Sequence, residues 1–300
     1  MLMRQLEYLL AVAREEHFLR AAQSCGVSQP ALSEGIRKLE KELNVPLIRR
    51  GNKFEGLTPE GLEVAMWARR ILADRDAMHD ELAAMRAGVS GQLRIGSIPT
   101  ASIAVSLLNA TFCREHPQAR VQVVSDMNND EVLARLATYE IDAGIAYIQD
   151  PLPDRFSVTP LYLERHVLLV GDDQPVGMTV SWTQAASLPL CLLAPHLQGR
   201  QRIDAVFAEA GVRPEPRLET DSVASLFAHV KTGFWATILP TAWLHVFGVP
   251  QGLRAVPLSE PQRALPVGLV TLSAQPASVL VRAMAEVAAT TDLRHLEYAL

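Results

Sequence analysis

Three hundred residues are more than one compact domain usually holds, so two or three are expected. With 49% hydrophobic and 20% charged residues, the chain has a soluble globular balance that excludes disorder, and no apolar run reaches the roughly 18 residues of a membrane span. The net charge of −5 hides a split: Ser28 to Lys53 carries six Lys/Arg against three acids and the deficit lies beyond Gly91, so a local basic stripe remains available to nucleic acid.

Leu2, Leu6, Leu9, Leu10 and Ala13 share one helical face and predict a first helix. Met1 to Arg14 lacks a secretory apolar segment, which places the chain in the cytoplasm. A second short helix begins near Phe18, with Ala21 and Ala22 small enough for close packing. Cys25-Gly26-Val27 then reads as a tight turn, Gly26 supplying a positive φ. Ser28 is an N-cap and Pro30 falls in the first turn of a third helix, where its missing N–H costs little. That helix buries Leu32, Ile36, Leu39 and Leu43, and presents Gln29, Ser33, Glu34, Arg37, Lys38 and Lys41.

The pattern is a helix-turn-helix whose polar end enters the major groove of double-stranded DNA. Gln29 has the geometry to bond an adenine edge bidentately, and Ser33 and Arg37 reach base or phosphate from the following turns. Ser28, Pro30 and Lys38 complete the predicted contact set on the helix. Two extended stretches around Gly51-Asn52 follow as a hairpin wing with Arg50 and Lys53 at its tip, suited to phosphates or a minor groove.

Thr58 caps a new helix with Pro59 at its first position, and no breaker occurs until about Arg86. Such a helix spans about 40 Å. Its apolar residues Leu62, Ala65, Met66, Leu72, Leu82 and Met85 predict an antiparallel helix from a second subunit, a homodimer through residues 59–87. Gly88-Val89-Ser90-Gly91 reads as a linker.

Beyond Gly91 strands and helices alternate. Strands are expected at 93–96, 121–124 and 141–146, and helices at 103–112 and 131–138, a βαβαβ unit and hence a parallel sheet with covering helices. A second set starts near Arg165: a strand to Val170, a stretch from Pro189 to Leu193 and a helix from Arg200 to Ala210. It continues with strands ending at Thr220 and spanning 236–239 and 253–257, and a helix over 223–231. The strand 265–272 and the helix 277–288 return to the first half.

Arg4-Gln5-Leu6-Glu7-Tyr8, Ala21-Ala22, Val27-Ser28-Gln29-Pro30-Ala31-Leu32-Ser33, Ile36, Leu39-Glu40, Leu43-Asn44-Val45-Pro46-Leu47 and Leu57-Thr58-Pro59-Glu60-Gly61 together resemble the LysR-type transcriptional regulators. The spacing matches over about sixty residues; Ile48 departs, standing where many members carry Phe, but keeps an apolar side chain. The resemblance implies an α/β fold with an N-terminal winged helix-turn-helix and a sensing module of two Rossmann-like subdomains, resembling periplasmic binding proteins with two crossover strands. It places the DNA-binding domain at 1–58, the linker and dimerisation helix at 59–90, subdomain I at 91–162 plus 266–300 and subdomain II at 163–265. It also implies dimers assembled into homotetramers, and RNA polymerase as a further partner.

Ligands of open α/β sheets bind beyond the carboxyl ends of strands, where helix N-termini favour anions. Here that means Ser97, Pro99, Thr100 and Ser102 after the first strand, facing Pro195, His196 and Leu197 from the second subdomain, with Met127 and Tyr147 ending neighbouring strands. The expected effector is a small organic anion held by backbone N–H groups and hydroxyls. No cofactor and no metal are expected, since Cys25, Cys113 and Cys191 are scattered and form no CxxC pair. An enzyme built on the α/β module finds no support: there is no GxSxG, GxxxxGK or HExxH motif and no GxGxxG after a strand. A thiol-based redox sensor of the same family is a further alternative, but it needs two cysteines that meet, and Cys113 and Cys191 fall in opposite subdomains of this partition.

Overall fold

A computed structural model describes residues 1–50, 54–149, 151–259, 261, 263–273 and 276–298. The head is built from α1 (Met3–Glu15), α2 (Phe18–Ser24) and α3 (Gln29–Leu43), followed by the antiparallel strands β1 (Ile48–Arg50) and β2 (Phe54–Leu57). Leu6, Leu9 and Val12 of α1 pack on Ala21 and Ala22 of α2 and on Leu32, Ile36 and Leu39 of α3. Leu43 was expected in this core but is 37% exposed, because the last turn of α3 runs past the helices that cover its start. Asn44 ends the helix in the left-handed region at φ 55°.

A single long helix, α4 (Pro59–Ala87), leaves the head. Thr58 caps it by accepting a hydrogen bond from the Gly61 N–H at 2.9 Å, and donates to the Pro46 carbonyl at 2.7 Å. Gly61 lies directly on the head: a Cβ there would stand 2.0 Å from the Leu47 carbonyl oxygen. Only the first half of α4 is buried, through Ala65, Ala68 and Leu72. Of the predicted apolar stripe, Leu62, Met66, Leu82 and Met85 are exposed, as are Trp67 and Met78.

The remaining chain forms two larger sheets and a separate two-stranded one. The first contains β3 (Ser90–Ser97), β4 (Gln118–Val124), β5 (Ala143–Tyr147), β6 (Phe156–Glu164) and, from the chain's end, Leu265–Leu272. Its order is β4-β3-β5, all parallel, then Leu265–Leu272 antiparallel to β5, with β6 at the edge. Helices α5 (Ser102–Glu115) and α6 (Asn129–Ala137) provide the crossovers expected of a parallel unit. β3 begins at Ser90, inside the stretch read as linker.

The second sheet centres on β7 (His166–Gly171). After α7 (Trp182–Ala186), β8 (Cys191–Leu193), α8 (Gln198–Glu209), β9 (Leu218–Thr220) and α9 (Val223–Val230) comes β10 (Thr237–Pro240), which pairs antiparallel with β7. Helix α10 (Thr241–Phe247) leads to β11 (Leu253–Pro257) on the other side of β7. β8 and β9 pair in parallel as the separate two-stranded sheet. The chain crosses between the sheets twice, from β6 into β7 and from β11 into β12 (Leu265–Leu272), and the crossings lie side by side with Glu164 opposite Leu265. Helix α11 (Val279–Thr290) then packs Leu280, Met284 and Val287 into the core shared with α5.

Ion pairs tie α4 to both ends. Arg75 donates to Glu7 of α1 at 2.5 Å, Arg69 meets Glu140 at 3.4 Å, and Glu81 accepts from Arg282 of α11 at 2.8 Å. No helix of the described residues is long and apolar enough to cross a membrane.

Candidate nucleic-acid interface and sensing cleft

The N-terminal end of α3 is open. Ser28 accepts a hydrogen bond from the Ala31 N–H at 3.3 Å, which fixes the start of the helix and leaves Ser28, Gln29 and Pro30 exposed. Arg37 and Lys38 are exposed one to two turns further, and Ser33 is half-buried. Arg37 pairs with Glu34 at 3.4 Å, but both side chains are more than half exposed, so the pair is weak and the guanidinium is free to exchange partner. The core face of α3 and its polar face are thus cleanly separated. The expected wing is present as β1 and β2, with Arg50 paired to Phe54. Lys53 and the side chain of Arg50 lie outside the described residues.

The second candidate site lies where the two larger sheets meet. β3 ends at Ser97, and the chain turns through a short 3-10 segment, Pro99–Ala101, into α5. That turn carries Thr100, 4% exposed, whose hydroxyl lies 3.0 Å from the Tyr147 hydroxyl at the end of β5. Tyr147 in turn donates to Glu164 Oε1 at 2.7 Å. Glu164 ends β6, so three strand termini deliver one chain of hydrogen bonds.

The other subdomain closes over this chain. Gly199 of α8 packs on Thr100 so tightly that a Cβ would stand 3.2 Å from the threonine methyl. Gln198 accepts from the Asn129 N–H at 3.0 Å, and Asn129 clamps Tyr147 by two further bonds, donating to its carbonyl at 3.1 Å and accepting from its N–H at 2.8 Å. Trp243 donates its indole N–H to the Thr100 carbonyl at 3.2 Å. The Arg202 guanidinium sits 3.9 Å over the Tyr147 ring, close enough for cation–π attraction. A recess of 420 Å³ opens beside it, between Arg202, His166 and Leu265.

Burial dominates the electrostatics. Glu164 is pushed up from the ordinary 4.5 to about 7 by loss of solvent, against the opposing pull of the Tyr147 and Thr100 hydroxyls and the Arg202 charge. His166 Nε2 lies 3.6 Å from Glu164, yet burial, aided by Arg202, lowers it from 6.5 to about 4. Burial also raises the Tyr147 and Tyr162 hydroxyls well above their usual value. Ser97 Oγ, Glu164 Oε2 and Arg202 Nε are sealed from solvent with no hydrogen-bond partner among the described residues. Such orphans are costly and call for a partner.

The predicted cleft residues divide. Thr100 and Tyr147 meet through their hydroxyls, Ser97 is buried at the end of β3 with no hydrogen-bond partner for its Oγ among the described residues, and Pro99 is half-buried at the start of the turn. Leu197 is half-buried against the shared core. Met127 is 2% exposed and fills the core under β3, its sulfur close to Gly96. Ser102, Pro195 and His196 are exposed and take no part in the buried network. Sequence reasoning missed Asn129, Glu164, His166 and Arg202, and held Gln198 only as part of the stretch facing the first subdomain. Gln198 and Arg202 are four residues apart on α8, a spacing that puts both on one helical face and was readable. The pairing of Glu164 with Tyr147 depends on how β6 crosses the sheet and has no local signal.

Comparison with known proteins agrees with this architecture. Residues 3–62 match the family described as bacterial regulatory helix-turn-helix protein, lysR family, and residues 86–292 match the LysR substrate binding domain. The chain is 29% identical over 281 residues to a hydrogen peroxide-inducible genes activator of Haemophilus influenzae, covering 89% of both chains. It is also 29% identical over 282 residues to the DNA-binding transcriptional dual regulator OxyR of Escherichia coli K12, covering 89% of this chain and 88% of that protein. Among solved structures, a full-length OxyR variant from Pseudomonas aeruginosa superposes with a TM-score of 0.77 at 23% identity, covering 99% and 98% of the two chains. Full-length CbnR in complex with its target DNA gives 0.68 at 22% identity, covering 96% and 99%.

Proposed function

Since the chain belongs to the LysR family of DNA-binding transcription regulators, we propose that it reads its operator through α3 and the wing and is gated by a small effector held between its two subdomains. Ser28, Gln29, Pro30, Ser33, Arg37 and Lys38 approach the major groove, and Arg50 and Lys53 the flanking phosphates. Gln29 and Ser33 specify bases, whereas Arg37 and Lys38 supply charge. The proposed division is a head at 1–58, a linker helix at 59–90, subdomain I at 91–162 plus 266–300 and subdomain II at 163–265. The exposed Leu62, Met66, Trp67, Met78, Leu82 and Met85 support pairing of α4 with a second copy, and through it assembly into tetramers on paired half-sites, with RNA polymerase as a further partner. The protein acts in the cytoplasm, as a regulator rather than an enzyme.

The observation that carries the gating role is the set of sealed, unpartnered polar atoms at the subdomain boundary: Ser97 Oγ, Glu164 Oε2 and Arg202 Nε. These unmet groups are the polar atoms that a small organic anion entering between the subdomains would satisfy. Its carboxylate accepts from Arg202 and Ser97, and Glu164, held up near 7, keeps a proton to donate. Ligand contacts that exist only in one arrangement of the subdomains shift the balance between arrangements. That shift alters the spacing of the heads and the bend of the DNA. The thiol-sensing alternative fits this chain less well, because Cys191 is fully buried and its thiol is pushed up to about 11.

The test is a reporter driven by the chain's own target promoter, combined with operator binding by the full-length protein. Thr100→Val, which breaks the bond to Tyr147, is expected to abolish the effector response while leaving operator affinity within about twofold of the parent. A normal response in that variant would remove the cleft from the mechanism.

A further inference from the structure

A second, open-sided recess lies at the paired crossings between the sheets, sharing His166, Val206 and Arg263 with the recess beside Arg202. It has a volume of 320 Å³, within the size range of small-molecule sites. Val167, Trp182, Val206 and Leu258 supply apolar walls, all four buried. Two guanidinium groups line it, Arg165 and Arg263. Their situations differ. Arg263 is spoken for, donating to Glu209 at 2.6 Å on the surface. Arg165 has no ion pair among the described residues, and its Nε is sealed from solvent without any hydrogen-bond partner. The acid at the same space, Glu297, already accepts from the Leu163 N–H at 3.1 Å and forms no ion pair with Arg165. His166, also on the wall, is held uncharged by burial.

Arg165 is half-buried, and its sealed Nε is an unmet donor that a bound acceptor would satisfy. We propose that this recess is a second ligand site, taking a small carboxylate with an apolar body whose oxygens pair with Arg165 and whose hydrocarbon fills the space between Trp182, Val206 and Leu258. Planar carboxylate and guanidinium match as a fork, which accounts for an arginine at this position. The site touches both crossings: Arg165 and Val167 flank the first, and Leu258 and Arg263 belong to the second. A ligand there braces the two strands on which the subdomains pivot, and so modulates closure without occupying the cleft.

Titration calorimetry on the full-length protein tests this with phenylacetate as the probe and phenylacetamide, nearly the same shape without the charge, as its control. The expected result is saturable binding of phenylacetate, weakened by about tenfold or more for the amide and for Arg165→Gln, and partly restored in Arg165→Lys. Val206→Trp, which fills the recess and keeps Arg165, is expected to abolish binding. Thr100→Val alters only the cleft and is expected to leave the constant unchanged. Operator binding by each variant verifies that it is folded. No saturable phenylacetate binding tighter than about 10 mM overturns the proposal. So does binding that survives Arg165→Gln and Val206→Trp but is lost in Thr100→Val, which would put the probe in the cleft.

Discussion

Replacing His166 by glutamine should uncover a pH dependence of stability that the parent chain conceals. Glu164 is raised from 4.5 to about 7 in the folded protein, so the fold keeps a proton that the unfolded chain gives up. Its contribution is full below about pH 4.5 and is lost as the pH rises through about 7. His166 is lowered from 6.5 to about 4, so the fold refuses a proton that the unfolded chain accepts. That contribution is full above about pH 6.5 and is lost as the pH falls through about 4. Between about pH 4.5 and 6.5 each residue contributes a slope near 1.4 kcal/mol per pH unit, with opposite signs, and the two cancel. In His166→Gln only Glu164 remains, and lowering the pH across that window should stabilise the sensing module by about 3 kcal/mol relative to the parent. For a module of roughly 200 residues that is a rise of about 5–10 °C in Tm. Glu164→Gln should show the mirror image, and the double variant should follow the parent. Scanning calorimetry of the full-length protein at half-unit pH steps reads all four profiles, with every other titrating group common to them. Parallel profiles in the four proteins would refute the assignment of two opposed, buried groups.

At the other end of the molecule, Gln29→Ala should weaken specific operator binding by about 1–3 kcal/mol and relax preference at one base pair, as read by selection from a randomised operator. An unchanged site profile would take Gln29 out of base reading. Gly61→Ala forces a methyl group onto the Leu47 carbonyl, and backbone cannot give way cheaply, so the head should lose about 2 kcal/mol or more. A melt of the head within about 1 °C of the parent would contradict that contact. Alkylation with iodoacetamide at neutral pH should label exposed Cys113 and spare Cys191, and peroxide should leave no Cys113–Cys191 link. Recovery of that cross-linked peptide by mass spectrometry would restore the thiol-sensing alternative.

Local patterns carried most of what was readable beforehand. The head follows from helical spacing, the Ser28 and Thr58 caps and the glycine turn, all signals within a few residues. The parallel unit of β3, β4 and β5 was visible for the same reason. β6 was not, because Pro160 interrupts it and proline argues against a strand. It is tolerated because β6 is an edge strand with one partner, and a register irregularity at Val267/Gly268 lies opposite it. Helices α7 and α10, of five and seven residues, are too short for a period to emerge. The cleft divided along the same line. Ser97, Thr100 and Tyr147 could be named because strand ends are local features. Glu164 could not, since its role depends on where an unrecognised edge strand ends. His196, placed at the cleft for its chemistry just before a helix, is exposed and stands outside the buried network.

The contact of Gly61 on Leu47 seats the head directly on the shaft. The shaft is 29 residues, or about 43 Å, long. Over that length a small angular change at its far end, near Glu81 and Arg282, would become a larger linear one at the head. A tilt of about 10° there swings the head through about 7 Å, the rise of roughly two base pairs. A motion too slight to disturb packing around the cleft would therefore be enough to shift the exposed end of α3 by about the length of a base step.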